Sequence, residues 1–163
     1  MDLAAINYDG FFCIGGGNKA AVITNNIIAI KIGELFEEDV ETLDILHQHG
    51  FAPKILAFSK DVKIPDEIIW LLRIVYSYGI KMTGESYIKE IDNEFIADVM
   101  IMEYAEPICN HYDRPKSVDE ARVLIDLAGN LETEVFNKLG IGLSDKHRYN
   151  VGVYQNRYVF FDV

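Results

Sequence analysis

Apolar positions along the chain follow two rhythms, and each predicts a kind of element. From Phe11 to Ile32 (FFCIGGGNKAAVITNNIIAIKI) short β-branched and aromatic runs are cut by turn residues. Phe11–Ile14, Ala20–Thr24 and Ile27–Ile32 read as antiparallel strands, broken by three glycines and then by Asn25-Asn26. From Glu34 to His49 the period becomes helical, with Phe36, Val40, Leu43 and Leu46 on one face and Gly50 as a stop. Ile55–Ser59 and Phe95–Tyr104 return to strand. Ser117-Val118-Asp119-Glu120 is a capping box. It opens a helix to Leu139, whose Ala121, Leu124, Ala128, Leu131, Val135 and Leu139 share a face. At the end, Val151–Tyr154 and Tyr158–Phe161 predict a hairpin joined by Gln155-Asn156-Arg157. Within Lys60–Glu94, the run Ile68–Tyr78 is too uniformly apolar to divide helix from strand, and Trp70 and the tyrosines there read as core. The fold class is α+β: an antiparallel sheet with one helix, then a small helical region ending in a hairpin.

Composition narrows the classes. Half of the 163 residues are apolar and 12% are aromatic, enough for a packed core. No apolar run approaches the ~18 residues of a membrane span, and Met-Asp-Leu-Ala-Ala has no basic region ahead of an apolar one. The expectation is a cytoplasmic protein that does not bind membranes. Cys13 and Cys109 have no metal spacing and read as free thiols. A net charge of −11 argues against nucleic acid, whose phosphates are bound through Lys and Arg.

Two stretches carry candidate chemistry. In LSDKHRYNVGVYQNRYVFFDV, Asp145 and Asn150 are five apart in a turn-rich segment, and Asp162 closes the returning strand. A hairpin that pairs its first residue with its last brings Asn150 and Asp162 side by side. A carboxylate beside an amide oxygen suits Mg²⁺, a hard cation that shares its oxygen ligands with substrate phosphates. Asp145 is then positioned to orient or deprotonate a hydroxyl. Upstream, Gly15, Gly16 and Gly17 lack Cβ atoms, so their N–H groups can approach an anion closely. A triple glycine also serves as a plain hairpin loop, and Lys31 among isoleucines also reads as an outward-facing strand residue. Strand–loop–strand order excludes dinucleotide and Walker loops, which need strand–loop–helix.

Asp-Lys-His-Arg-Tyr-Asn followed by two strands and Asp162 resembles the catalytic loop and metal-binding aspartate of the protein-kinase-like fold. The D-x-H-x-x-N form is similar to the aminoglycoside phosphotransferase and choline kinase branch. Gly15-x-Gly17-x-x-Ala20-x-Val22 resembles the kinase glycine-rich loop with alanine at its third glycine. Ala29-Ile30-Lys31 resembles the V-A-I-K strand, and Met102-Glu103-Tyr104-Ala105 the hinge. The resemblance implies ATP and Mg²⁺ as cofactors. It implies phosphate positioning by Gly15, Gly16, Gly17 and Lys31, and adenine contacts by the Glu103 carbonyl and Ala105 N–H, with Met102 as gatekeeper. It implies metal binding by Asn150 and Asp162, and catalysis by Asp145 with Lys31 and Asn150. Gly50-Phe51-Ala52-Pro53-Lys54-Ile55 resembles the linker after the family's first helix. Counting back from it lands on Asp39 where the family has the glutamate that pairs with the lysine. Glu37, Glu38 and Glu41 compete for that role, and all four acids also simply complement the helix dipole.

The implied layout is a kinase-like N-lobe over 1–105 and a C-terminally truncated C-lobe over 106–163. Leu143 stands where the family has histidine, and no glycine follows Asp162-Val163. The apolar undersides of the Leu124–Leu139 helix and of the hairpin are expected to need cover from Lys60–Glu94, a protein partner or self-association as a dimer. The favoured function is an ATP- and Mg²⁺-dependent phosphotransferase acting on a protein or small-molecule hydroxyl. The alternatives are a partner-binding pseudokinase and an unrelated α+β interaction module. So small a kinase-like chain suggests a phage or other virus, and hence host cytoplasm.

Overall fold

A computed structural model describes residues 1–16, 19–76, 88–109, 115–144 and 148–163. The chain is α+β and divides into two compact units, Met1–Phe36 with Ile55–Glu103 and Glu37–Lys54 with Tyr104–Val163.

The first unit is built on an antiparallel sheet. Its strands are β1 (Phe12–Gly16), β2 (Ala20–Thr24), β3 (Ile28–Gly33), β4 (Ile55–Lys63), β5 (Lys89–Ile91) and β6 (Glu94–Glu103). Their order is β1-β2-β3-β6-β4, and β5 pairs with β6. Lys63 and Lys89 both register with Ile96, so β4 and β5 flank β6 at its first residues. Two-residue turns with positive φ fit Asn and Asp at Asp92 (51°) and Asn93 (64°). Alternation sends Ile30, Ile32, Val99 and Ile101 to one face, where they form a core with Ile68, Ile69 and Leu72 of helix α2 (Asp66–Tyr76). The ambiguous Ile68–Tyr78 run is therefore helix as far as Tyr76, and residues 77 and 78 lie outside the described residues. Trp70 does not join that core. It is 63% exposed, with the Arg73 guanidinium 5.7 Å from its ring, because it lies on the helix face opposite Ile68 and Leu72.

The second unit holds helices α1 (Glu37–Gln48) and α3 (Val118–Leu139) and a small sheet, β7 (Glu106–Pro107), β8 (Val151–Tyr154) and β9 (Arg157–Phe160), in that order. Ser117 caps α3 by accepting the Glu120 N–H at 3.1 Å, and the Glu120 carboxylate reaches back to the Lys116 N–H, one residue beyond the expected capping box. Gly140 ends α3 at φ 69°, its N–H on the Phe136 carbonyl at 2.8 Å. Gly50 ends α1 in the same left-handed conformation. Its N–H bonds the His47 carbonyl and the Phe51 N–H bonds that of Leu46, a Schellman arrangement. The segment after α1 is tied to β9: the Phe160 N–H bonds the Phe51 carbonyl at 2.8 Å. Ala128, Leu131, Val135, Val151, Val159 and Phe160 are all buried, while Val123, Phe136 and Tyr158 on the same elements are exposed.

Candidate functional site

The chemistry-bearing residues fall into two sets, one on each unit. In the first unit, Lys31 lies on central strand β3, registered with Val22 on β2 and Met100 on β6. Residues directly across an antiparallel pair share a face, as do alternate residues of a strand. Val22, Ala29, Lys31, Met100 and Met102 therefore share the face opposite the α2 core, and Ala29 is registered with Met102. Glu103 ends β6, registered with Ile28. Gly15 and Gly16 belong to β1, registered with Val22 and Ala21, with an irregularity between Cys13 and Gly15. Gly17 lies outside the described residues. The returning chain is held close by Gly33: the Glu34 N–H bonds the Lys19 carbonyl at 2.8 Å. A Cβ on Gly33 would overlap that carbonyl and lie 2.5 Å from Ala20 Cα.

The same unit contains a polar cluster that sequence reasoning missed. Asp98 is 8% exposed. Its Oδ2 accepts from the Leu35 N–H at 3.1 Å and the Lys60 ammonium at 2.7 Å, and its Oδ1 from the Asp61 N–H at 3.2 Å. Lys60 also donates to the Leu35 carbonyl at 2.6 Å. Burial alone pushes this carboxyl up. The bonds from Lys60, Leu35 and Asp61, with the Lys60 charge, outweigh burial and hold it below the usual carboxylate range. Asp61 has φ 50° within the irregular stretch of β4 between Ser59 and Val62, which aims its N–H at Asp98. The cluster fixes the exit of the chain from β3, just after Lys31. Its sequence signal is an acid in the otherwise apolar run Ala97–Met102.

In the second unit, Asn150 ends a 3-10 turn (Arg148–Asn150) that leads directly into β8. Gln155 (φ 49°) and Asn156 (φ 62°) alone form the hairpin turn, and Tyr154 is registered with Arg157. Positive φ at both central residues is the type I′ pattern, which matches strand twist. The turn is thus one residue shorter than expected, and the register slips by one. The Phe161 N–H bonds the Asn150 carbonyl at 2.9 Å, so Asn150 faces Phe161 and Asp162 lies one residue beyond. Asp162 Oδ1 accepts from the Val163 N–H at 3.2 Å. Ala105, just before β7, lies against the same hairpin. Glu106 is registered with Val153, and a Cβ on Gly152 would lie 3.2 Å from that of buried Ala105. The Cys109 thiol reaches the Arg148 carbonyl at 3.5 Å. Leu143 is buried. Asp145 lies outside the described residues. Of the four acids opening α1, Glu37, Glu38 and Glu41 are exposed and Asp39 is half-buried.

Among the described residues no three His, Cys, Asp or Glu cluster as a metal cage. Asn150 and Asp162 offer oxygen ligands only, the chemistry that fits Mg²⁺ sharing its shell with phosphates and water. A groove of ≈ 820 Å³ opens on the second unit between α3, the segment after α1 and β9; Arg157 lines it, and Asn150 and Asp162 do not. No helix of the described residues is long and apolar enough to cross a membrane. No protein-family model matches the chain, and no curated protein matches it.

Proposed function

We propose that this chain is an ATP- and Mg²⁺-dependent phosphotransferase of the protein-kinase-like type, passing the γ-phosphoryl group to a hydroxyl. The observation that carries the reading is the sheet face on which Val22, Ala29, Lys31 and Met102 converge from three strands. Ala29, Met100 and Met102 give this face an apolar stretch with Lys31 among them, and the Asp98–Lys60 pair lies on the same face beyond Met100; apolar contacts beside a cation suit a base with phosphates at one end. Lys31 is the phosphate-positioning residue in this reading, and the strands on either side hold its backbone fixed. The exit of β3 is anchored by Asp98 and by close packing at Gly33. Asn150 and Asp162 hold the metal, whose chemistry is to neutralise charge on the transferring group. Asp145 orients the acceptor hydroxyl and receives its proton. The irregularity in β1 next to Gly15 suits a loop that must bend over an anion.

The test is thermal stability with ATP, with and without Mg²⁺, for the natural chain, Lys31→Ala and Asp162→Asn. A ligand at a hundred times its Kd stabilises by ~2.7 kcal/mol, several degrees for a chain of this size. The expected result is a Mg²⁺-dependent shift that both substitutions remove. No shift with any nucleotide rules the reading out. A Mg²⁺-independent shift with no phosphate transfer points to a nucleotide-binding pseudokinase instead.

A further inference from the structure

The groove on the second unit has a use that the phosphotransferase reading does not draw on. Its floor is apolar, with Phe51 and Leu131 buried, and its rim carries Val123 at 63% and Tyr158 at 51% exposure. Charges of opposite sign stand on different walls. Asp126 comes from α3, and Arg157 from the start of β9. Among the described residues neither of these two side chains has a hydrogen-bond or ion-pair partner. By contrast, Lys138 is bonded to Glu134 at 2.9 Å and covers the Phe51 ring at 5.1 Å.

We propose that a second copy of this chain covers the groove, in a two-fold contact where Arg157 of each copy meets Asp126 of the other. A two-fold interface must complement itself, since residue i meets j and j meets i. A patch with a free cation on one wall and a free acid on another meets that condition. Charge permits contact at this face. Two chains of net charge −11 repel each other over most of their surface. In the groove, Asp126 and Glu134 are balanced by Arg157 and Lys138. Exposed Tyr and Arg around an apolar centre are residue types enriched at protein contacts. The groove has 12 lining residues. A stable interface uses about 20–30 on each side, so the dimer is concentration-dependent.

Sedimentation velocity over a concentration series tests the proposal on the full chain. The natural protein is expected to move from 18.5 kDa toward twice that mass as concentration rises. Arg157→Asp and Asp126→Arg should each weaken association about tenfold or more. Both positions are exposed, so melting temperatures are expected to stay unchanged. An equimolar mixture of the two variants should associate again, because each supplies the charge that the other lacks. A particle that stays at 18.5 kDa throughout overturns the proposal. So do reversals without effect, or a mixture that fails to recover. None of these readouts depends on nucleotide, so failure here is separate from failure of the phosphotransferase reading.

Discussion

Replacing Asp98 by Asn tests the polar cluster at the exit of β3. The carboxylate accepts three hydrogen bonds, from Lys60, Leu35 and Asp61. Asn has one acceptor oxygen, so its NH₂ must face at least one of those donors. Losing a hydrogen bond to a buried charge costs roughly 1.5–3 kcal/mol, and stranding a buried N–H roughly 1–3. The Lys60 side chain is 43% exposed, so water screens its share of the pairing. A total of about 2–4 kcal/mol follows. Urea unfolding read by Trp70, the only tryptophan, reports on the first unit. The midpoint should fall by about 1–2 M. The pH dependence has a definite sign. The folded carboxyl sits below its ordinary value of 3.8, so its stabilisation is full above that pH and fades as pH falls through the folded value. The gap between the natural chain and Asp98→Asn should therefore narrow below pH 3.8. A variant within about 0.5 kcal/mol at neutral pH, the scatter of ordinary surface changes, refutes the reasoning. A gap that persists unchanged into acid refutes it as well.

Three further predictions concern local devices. Gly33→Ala drives a Cβ into the Lys19 carbonyl and should cost about 1–3 kcal/mol by thermal melt, with weaker ATP binding if the β1–β2 return cradles phosphate. Ser117→Ala removes the α3 cap and should cost about 1 kcal/mol, seen first as faster amide exchange in the opening turn of that helix. Burial, with Glu67 and Asp2 nearby, pushes the Tyr8 hydroxyl up to about 12, and it donates to the Leu3 carbonyl at 2.8 Å. A raised folded pKa gives stability that is whole below the unfolded value of 10 and lost as pH rises through about 12. The difference between the natural chain and Tyr8→Phe should shrink over that range; a difference independent of pH would count against the assignment.

What was legible in the sequence depended on whether a rule acts over neighbouring residues. Ala20–Thr24 matches its predicted bounds, and the α3 face from Ala121 to Leu139 follows from spacing alone. The capping residue Ser117 and the stop at Gly140 are also local chemistry. The run from Ile68 was ambiguous because it is apolar on both the buried and the exposed side of α2. Trp70 was misjudged for the same reason, since hydrophobicity does not tell which face a tertiary core takes. The Asp98 cluster joins residues 35, 60, 61 and 98, and no local window contains them. Of the candidate site, the strand carrying Lys31 and the hairpin carrying Asn150 were readable as elements. The hairpin's register was not, because one residue of turn length decided it.

That turn also sets rules for how the chain can change length. The spacing from Asn150 to Asp162 is measured out by Gln155-Asn156, a hinge of fixed size at the far end of the hairpin. Side chains there can vary widely wherever positive φ is tolerated, as with Gly or Asp. Inserting or deleting a single residue would slide β9 along β8 and turn each of its side chains to the opposite face, so Val159 and Phe160, both buried, would lose the surroundings they now fill. The Asp92-Asn93 turn has the same conformation but joins exposed β5 to the outer end of β6, where a slip would displace one buried side chain, Ile88 just before β5. Natural length variation should therefore collect at the second turn and avoid the first, even though both are equally exposed.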